Sequence, residues 1–378
     1  MTKPVLILKF PYSSSFGGGE KHTISLVRGL SAFGFRFFLA GSCPVLLREF
    51  KRRGWPTQKV WAGREPVSKG TVILFPFLAP LVFLRLTFLL VKYRLQHKVK
   101  IVYCLSLTEK LLIAPIAWLL GMKLFWIEHT NFDRWLTKNP WRFLYLLYSR
   151  LSVVVAISQA VKGQLVALGV PEKRIKVIYP GVDLGKVDIA LRNFEKKFKH
   201  DFIIGTICRL EPEKGIEYLL QAVKIALPLI PNLSLQIVGD GQIKHNLEWL
   251  AKKLEIEGQI QFVGFQKSTE RWYPLFDLFV LPSALRESFG ISLVEALSFQ
   301  VPVLASRIGG VKEVIEEGKT GFLANPRDAQ DLAEKIIYIY KNYQLAKETA
   351  QAGRQKVEER FSLDKMIKDF YSLFSGKN

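Results

Sequence analysis

Cysteine and methionine are scarce in this chain, with three of each among 378 residues. The cysteines, Cys43, Cys104 and Cys208, are too far apart in the sequence to form a metal-ligand spacing. Their odd number argues against a disulfide framework. A protein of this composition fits a reducing compartment, and a cytoplasmic location is expected.

Long uncharged runs are also missing. The longest, Gly70 to Leu84, has 15 residues and contains Pro76 and Pro80, whereas a membrane-spanning helix needs about 20 apolar residues. The apolar run at the N-terminus is too short for a signal peptide and predicts a buried first strand. The sequence therefore predicts neither export nor a transmembrane segment.

Acidic residues are few in the first half of the chain. Residues 1–185 contain 27 Lys and Arg against 8 Asp and Glu, while the remainder contains 27 against 25. Nearly all of the net charge of +21 therefore belongs to the first half. Such a basic half is expected to meet something acidic, such as anionic lipid, nucleic acid or a phosphorylated substrate.

The length of 378 residues exceeds the usual size of a single core, so two domains are expected. Apolar, β-branched runs alternate with longer helical patterns, which predicts an α/β protein with mostly parallel sheets. A polar, Lys-rich segment, 183–201, is the predicted linker. The predicted strands are 5–10, 35–40, 101–105, 124–128 and 153–157, and then 202–208, 233–238, 260–263, 278–281 and 301–305.

Two carboxylates stand out in the second half. Glu287 follows a predicted strand and Glu295 lies eight residues later, within a helical pattern. Carboxylates accept hydrogen bonds from sugar hydroxyls, and the first N–H groups of a helix favour an anion, so the segment suits a ligand that carries both groups. The alternative is a capping box of Ser292 and Glu295, with Glu287 a solvated loop charge.

A cationic loop follows the predicted strand 202–208. Arg209 offers a planar donor fork and Lys214 a point charge, a combination suited to a diphosphate. The alternative is an ordinary solvated loop in which Glu213 pairs locally. Gly239 follows the next strand, where it permits close backbone approach or simply makes a turn.

Glycines also follow the first strand. Gly17, Gly18 and Gly19 precede a helix predicted to begin near Thr23, and successive glycine N–H groups can face an anion. The spacing matches neither a Walker loop nor a dinucleotide fingerprint. His129 ends another predicted strand, although a lone histidine is more often structural.

Together these segments resemble the retaining GT-B glycosyltransferases of family 4. The matching segments occur in the family's order over nearly the whole chain: Gly17-Gly18-Gly19-Glu20, His129, Ala156-Ile157-Ser158, 177–183, Arg209 with Lys214-Gly215, Gly239-Asp240-Gly241 and 287–295.

The resemblance implies roles for particular residues. Arg209 and Lys214 would neutralise the departing diphosphate, and Glu287 would bind hydroxyls of the donor sugar. Glu295 would bind the ribose, and His129 would contact the donor sugar. The catalytic set implied is Arg209, Lys214, Glu287 and His129, and the donor-binding set is Gly18, Gly19, Gly239, Phe289, Gly290, Ile291 and Glu295.

The resemblance also implies the architecture and reaction. Residues 1–183 would form a Rossmann-like acceptor domain, completed by a crossover helix at 362–378, and residues 184–361 a Rossmann-like donor domain across a cleft. The enzyme would move a sugar from a UDP- or GDP-linked donor with retention, without bound metal or cofactor. The favoured account of such retention is same-face attack, in which the departing phosphate oxygen helps to deprotonate the acceptor.

Two stretches of the first half, 81–100 and 134–150, interleave aromatic and cationic residues. This pattern suits the headgroup layer of an anionic membrane, although the apolar faces also have a sheet to cover. We therefore expect peripheral association with the cytoplasmic membrane face, where the acceptor would be a lipid-linked or cell-envelope glycan. No specific nucleic acid is expected as a partner.

Two other functions stay open at this point. One is a basic membrane- or nucleic-acid-binding protein with an inactive transferase-like site, which explains the charge but gives no reason for the joint occurrence of Arg209, Lys214, Glu287 and Glu295. The other is a GT-B epimerase of nucleotide sugars, which would convert donor without any acceptor.

Overall fold

The structure, a computed structural model, describes residues 2–10, 17–129, 134–192, 194 and 201–376. The chain divides into two compact units, Met1–Tyr179 with Met366–Asn378, and Pro180–Lys365. Each unit has its own parallel sheet and its own helices. The predicted α/β class with two Rossmann-like domains is confirmed.

The first unit is built on seven described parallel strands. The strands are β1 (Lys3–Lys9), β2 (Phe35–Gly41), β3 (Thr57–Lys59), β4 (Ile101–Cys104), β5 (Lys123–Glu128), β6 (Val153–Ala156) and β7 (Ile175–Val177). The helices are α1 (Gly18–Ser31), α2 (Pro44–Arg52), α3 (Lys69–Gln96), α4 (Leu107–Leu112), α5 (Ala114–Leu119), α6 (Arg134–Thr137), α7 (Arg142–Ser149) and α8 (Gln159–Leu168). The sheet order is β3-β2-β1-β4-β5-β6-β7, so the order reverses between β1 and β4.

The second unit repeats this plan with six described strands. The strands are β8 (Phe202–Ile207), β9 (Leu233–Val238), β10 (Ile260–Gly264), β11 (Leu278–Leu281), β12 (Val303–Ser306) and β13 (Phe322–Ala324). The helices are α9 (Leu184–Arg192), α10 (Ile216–Ala226), α11 (Lys244–Lys253), α12 (Ile291–Ser298), α13 (Val311–Val314), α14 (Ala329–Lys341) and α15 (Tyr343–Arg360). The order is β10-β9-β8-β11-β12-β13, with the reversal between β8 and β11. Ligands of such sheets bind outside the carboxyl ends of the strands at this reversal.

The last helix, α16 (Leu363–Ser375), returns the chain to the first unit. Its apolar residues recur at helical spacing and are buried. Phe370 and Phe374 pack on Tyr103 of β4, and the Phe374 ring centroid lies 4.8 Å from that of Phe125 on β5. The chain end therefore contributes to the core of the first unit.

Every strand predicted from the sequence exists, within two residues at either end. Three further strands, β3, β7 and β13, were not predicted. Each has three residues and lies at a sheet edge. Such short segments carry too little alternation to be recognised, whereas the buried central strands are continuous apolar runs because helices cover both faces of a parallel sheet.

Two local predictions differ in detail from the structure. Helix α1 begins at Gly18 rather than near Thr23, because the Glu20 carboxylate accepts a hydrogen bond from Gly17 N at 3.1 Å and caps the helix early. The predicted linker, 183–201, contains helix α9 in its described part, and its residues 193 and 195–200 lie outside the described residues. The division between the units itself lies at Tyr179 and Pro180.

Helix α3 bears on the prediction that the chain has no transmembrane segment. It joins the uncharged run to the basic stretch that follows, and Pro76 and Pro80 lie inside it. Pro76 cannot donate to Val72 O, and this carbonyl instead accepts a hydrogen bond from Trp141 Nε1 at 3.3 Å, so the helix continues. By length and composition α3 is apolar enough to cross a membrane, and 22% of its most apolar window is buried. Length and composition alone do not show that α3 crosses a membrane, so the absence of a transmembrane segment stays a prediction.

Candidate functional site

The loops that follow β8 and β11 are joined at the reversal point of the second sheet. Ala284 N donates to Glu213 O at 2.9 Å, and Arg286 donates to Glu213 Oε2 at 3.1 Å. Because β8 and β11 are neighbours in the sheet, both loops emerge at the same edge. This edge is where the predicted site residues of the second unit are found.

Lys214 and Glu287 form an ion pair across these two loops. Lys214 Nζ lies 2.7 Å from Glu287 Oε2, which also accepts a hydrogen bond from Ser283 Oγ at 3.1 Å. The side chains are only 16% and 12% exposed. Burial by itself lowers the pKa of Lys214, but the charge and hydrogen bond of Glu287 outweigh it and raise the pKa above its ordinary value. Lys214 is therefore a fixed, partly buried cation.

Two glycines allow the backbone to bring this pair together. Gly215 has a φ of +63°, and a Cβ there would overlap the Pro282 carbonyl oxygen. Gly309 has a φ of +49°, and a Cβ there would overlap the carbonyl oxygen of Glu287. Gly310 N donates to that same oxygen at 2.9 Å. The backbone of Glu287 is therefore held from the loop after β12 as well.

Arg209 lies in the same loop as Lys214 but is arranged differently. Its side chain is 59% exposed and pairs with Glu211 at 2.5 Å and with Glu213 at 3.8 Å. The alternative of a locally paired, solvated loop charge thus describes Arg209 in this structure, but not Lys214. The structure brings Lys214 and Glu287 together, whereas the side chain of Arg209 points to solvent-exposed surface of the same loop.

Gly239 belongs to the same edge of the sheet. Its φ is +145°, and a Cβ there would overlap the Cys208 carbonyl oxygen. Next to it, Leu210 N donates to Asp240 O at 2.9 Å. The loop after β9 therefore packs directly on the backbone that carries Arg209. The contact is close enough that position 239 has no room for a side chain.

Glu295 lies on α12 and is held by a buried tyrosine. Tyr273 donates its hydroxyl to Glu295 Oε2 at 2.5 Å. Burial first, and then the Glu295 charge, raise the pKa of Tyr273 well above its ordinary value, so the hydroxyl stays a donor. The N-cap of α12 is Gly290 and Ser292 is its second residue, so the alternative capping box of Ser292 and Glu295 is absent from this described helix.

Phe289, Gly290 and Ile291 lie where the sequence places them, at the start of α12. Phe289 is buried, with its ring centroid 5.3 Å from that of Phe361, and Gly290 adopts a φ of +87°. The first N–H groups of a helix have no partner within the helix and carry partial positive charge. The start of α12 is therefore suited to an anion, beside the Glu287 loop.

In the first unit, the structure places Gly18 and Gly19 in the first turn of α1 and Gly19 next to His129. The His129 ring centroid lies 5.0 Å from that of His22 on α1, a residue that we did not predict. Burial, the His22 imidazole and two nearby lysines lower the pKa of His129 well below its usual range. His22 is buried with a pKa lowered to about 4, and neither of its ring nitrogens has a partner in the described part of the chain. Its position three residues after Gly19 was the only signal in the sequence.

A buried ion pair supports the end of β5, directly before His129. Lys110 Nζ lies 2.6 Å from Glu128 Oε1, and Tyr145 donates its hydroxyl to the same oxygen at 2.7 Å. Lys110 and Glu128 are almost fully buried. The sequence places a lysine on a helix and a glutamate at a strand end, but nothing in it indicates that they meet.

Within the described ranges, no group of three or more His, Cys, Asp or Glu side chains is placed to hold a metal ion. The charged side chains that the sequence predicts for this edge of the second unit are present there, Lys214 and Glu287 as an ion pair and Arg209 paired with Glu211.

Comparison with known proteins finds a family model for each half of the chain. The family model described as Glycosyltransferase Family 4 matches residues 16–186, and the one described as Glycosyl transferases group 1 matches residues 188–356. A curated relative, the N-acetyl-alpha-D-glucosaminyl L-malate synthase of Bacillus anthracis, is 29% identical over 59% of this chain and 59% of its own length. The chain thus spans about half the length of the curated relatives it matches, 45–59% of the first three.

Solved structures share the fold over the whole chain. Anabaena HepE in complex with UDP superposes with a TM-score of 0.81 and 20% identity, covering 99% of this chain and 100% of that one. A glycosyltransferase from Rickettsia africae gives a TM-score of 0.83 and 22% identity, covering 99% and 98%. The two family models match successive halves of the chain, and the solved structures share its fold. The chain therefore belongs to the family 4 type of glycosyltransferases with a GT-B fold.

Proposed function

We propose that the protein transfers a sugar from a nucleotide diphosphate donor, linked to UDP or GDP, to a glycan acceptor with retention at the anomeric carbon. The observation that carries this proposal is the Lys214–Glu287 pair at the reversal point of the second sheet. A partly buried cation beside a carboxylate suits a leaving diphosphate beside sugar hydroxyls. HepE, which shares the fold, has been solved with UDP and with UDP-glucose.

The leaving group needs positive charge in the transition state. Lys214 supplies a cation already fixed by its partner, and Arg209 supplies an exposed guanidinium within the same loop that can exchange Glu211 for a phosphate. The start of α12 adds backbone donors for the distal phosphate. These protein groups perform the role that a divalent cation has in other transferases, so the reaction is independent of metal.

Retention without a protein nucleophile is the second part of the proposal. Glu287 Oε2 already accepts two hydrogen bonds, which makes it a weak nucleophile, while a carboxylate has a second oxygen that can accept from sugar hydroxyls. The acceptor therefore attacks from the face that the diphosphate leaves, and a departing phosphate oxygen takes its proton. Glu295 binds the ribose.

The acceptor side belongs to the first unit. In this unit, His129, neutral because its pKa is lowered, and the first turn of α1 are the groups that we assign to sugar binding. The acceptor is a lipid-linked or cell-envelope glycan, met at the cytoplasmic face of the membrane. A relative from Staphylococcus aureus carries the name poly(ribitol-phosphate) alpha-N-acetylglucosaminyltransferase, which favours a cell-envelope acceptor.

The first experiment is ligand-induced thermal stabilisation with UDP, GDP, ADP and their sugars in the presence of a chelator. We expect one nucleotide series to raise the melting temperature of the wild type. Turnover with that donor, followed by NMR of the product, is then expected to show the donor's anomeric configuration. No stabilisation by any nucleotide, an inverted product, or activity that the chelator abolishes would each contradict the corresponding part of the proposal.

A further inference from the structure

Helix α3 exposes a continuous apolar face. Ile73, Phe77, Leu84, Phe88 and Leu95 are spaced by four or seven residues and therefore share one side of the helix. Leu74 and Leu81 border them. We call this set the outer face of α3, and its seven side chains are 48–76% exposed: Ile73, Leu74, Phe77, Leu81, Leu84, Phe88 and Leu95.

The outer face is not the side that packs on the protein. The opposite side carries the buried residues Phe75, Val82, Leu86, Leu89, Leu90 and Tyr93. On this side the Tyr93 ring lies 5.5 Å from that of Phe38 on β2. A helix on the surface of a soluble domain normally has polar residues opposite its buried side. Helix α3 is apolar on both sides, although only one is covered.

Cations border the outer face, and α3 contains no acidic residue. At helical spacing, Arg85 and Lys92 lie along one edge of the outer face and Lys69 and Arg94 along the other. The Arg85 guanidinium also lies 5.6 Å from the Trp61 ring centroid. An apolar face between two cationic edges is typical of helices that lie in the boundary layer of an anionic bilayer.

Other exposed apolar residues flank both ends of α3. Arg94 Nε donates to Leu120 O at 3.0 Å, which brings the end of α5, with exposed Trp118 and Leu119, next to the last turns of α3. Near the other end, Trp141 packs on Phe75 and on the exposed Phe143 of α7. Exposed aromatic residues around an apolar face are typical of membrane interfaces.

Length and composition alone would let α3 cross a membrane. Crossing would, however, remove its six buried side chains from the core of the first unit and place Arg85 within the bilayer. Lying in the membrane plane keeps these contacts and still buries the outer face. The burial of only 22% of the apolar window also distinguishes α3 from an ordinary core helix.

We propose that the outer face of α3 inserts into the headgroup and acyl boundary of an anionic bilayer, with α3 parallel to the membrane plane. The occupant is lipid rather than a second copy of the chain, because the cationic edges of α3 would repel those of another α3. This inference deepens the membrane-face part of the proposed function, and membrane insertion itself needs no transferase activity.

The test is vesicle flotation of the full chain at low salt, with phosphatidylcholine vesicles that either contain or lack phosphatidylglycerol. The variant carries Phe77→Asp and Phe88→Asp, at side chains that are 76% and 75% exposed. A matched control carries Leu229→Asp and Phe265→Asp, which are also exposed apolar residues, in the second unit. The same proteins are assayed for nucleotide-induced thermal stabilisation, so that loss of folding or of donor binding is seen separately.

We expect the wild type and the control to float with anionic vesicles. The partition coefficient of the Phe77→Asp and Phe88→Asp variant onto these vesicles is expected to be lower by about tenfold or more. Milder substitutions, Phe77→Ser with Phe88→Ser, serve if the aspartates lower the melting temperature. Equal flotation of variant and wild type, or no flotation of the wild type, would overturn the proposal. A wild-type dimer that the variant abolishes, without flotation of either, would overturn it too and assign the outer face to a second copy.

Discussion

Lys214 Nζ lies 2.7 Å from Glu287 Oε2, although the two residues are 73 positions apart in the chain. The pair exists because β8 and β11, distant in sequence, are neighbours at the reversal of the second sheet. The same reversal is where such sheets bind ligands. The Lys214–Glu287 pair therefore lies at the edge of the sheet to which the proposed function assigns the donor.

Replacing Lys214 by Ala is expected to lower kcat by about a hundredfold or more, because the leaving diphosphate loses a preorganised cation. The measurement is steady-state turnover at saturating donor. Lys224→Ala is the matched control, since Lys224 makes an exposed 3.8 Å ion pair with Glu255 in the same unit. A Lys214→Ala protein as active as this control would remove Lys214 from the site.

Replacing Glu287 by Gln separates sugar binding from diphosphate binding. Transfer is expected to fall about a hundredfold, since the carboxylate that accepts sugar hydroxyls is lost. Affinity for the free nucleoside diphosphate should stay the same or rise, because Lys214 no longer has a competing carboxylate. Calorimetric titration tests this, and an equal loss of diphosphate affinity would assign Glu287 to the phosphates instead.

Replacing Glu295 by Ala is expected to weaken binding of the nucleotide about tenfold through lost hydrogen bonds to the ribose. A 2′,3′-dideoxynucleotide should bind the wild type and the variant equally, because it lacks those hydroxyls. Tyr273→Phe removes only the hydroxyl that holds Glu295 and should give a smaller loss. Undiminished discrimination against the dideoxynucleotide in Glu295→Ala would refute the ribose role.

Replacing Lys110 by Met should destabilise the first unit by about 3–5 kcal/mol, because it leaves the buried Glu128 without its cation. Denaturant unfolding measures this. The double variant Lys110→Met with Glu128→Leu is expected to be markedly more stable than the single one, since it removes both charges together. Equal stability of the wild type and Lys110→Met would show that Tyr145 alone satisfies Glu128.

His22 should make stability fall in mild acid. Burial lowers its pKa from 6.5 to about 4, so below pH 6.5 the unfolded chain binds a proton that the folded chain refuses until about pH 4. This contribution is complete above pH 6.5 and is lost as the pH falls to 4. In His22→Phe, unfolding free energies measured across this range should decline less steeply.

Glu109 provides a control of opposite sign. Burial raises its pKa from 4.5 to about 7, so its contribution is complete below pH 4.5 and is lost as the pH rises to 7. Glu109→Gln should therefore remove the loss of unfolding free energy that Glu109 causes as the pH rises from 4.5 to 7. The decline in acid that His22 causes should remain. An acid decline unchanged in His22→Phe would show that other groups, such as the neighbouring His129, cause it.

The sequence by itself determined the alternation of strands and helices and the order of the family's motifs. These features are local, because each apolar run or motif reports on its own segment. The long buried strands and the positions of Lys214, Glu287 and Glu295 followed in this way. Three-residue edge strands did not, since they are too short to carry a pattern.

Only the tertiary structure decided which of these residues meet. In the sequence, Lys214 and Arg209 are two cations of the same loop, and nothing shows which of them will be buried. In the structure, the order of the strands and the positive φ of Gly215 place Lys214 against Glu287, whereas Arg209 stays exposed. The same holds for α3. Its apolar composition is evident from the sequence, but only the structure shows which side of the helix stays uncovered. Pairing and burial depend on which distant segments become neighbours, and that is a property of the folded sheet rather than of any one segment.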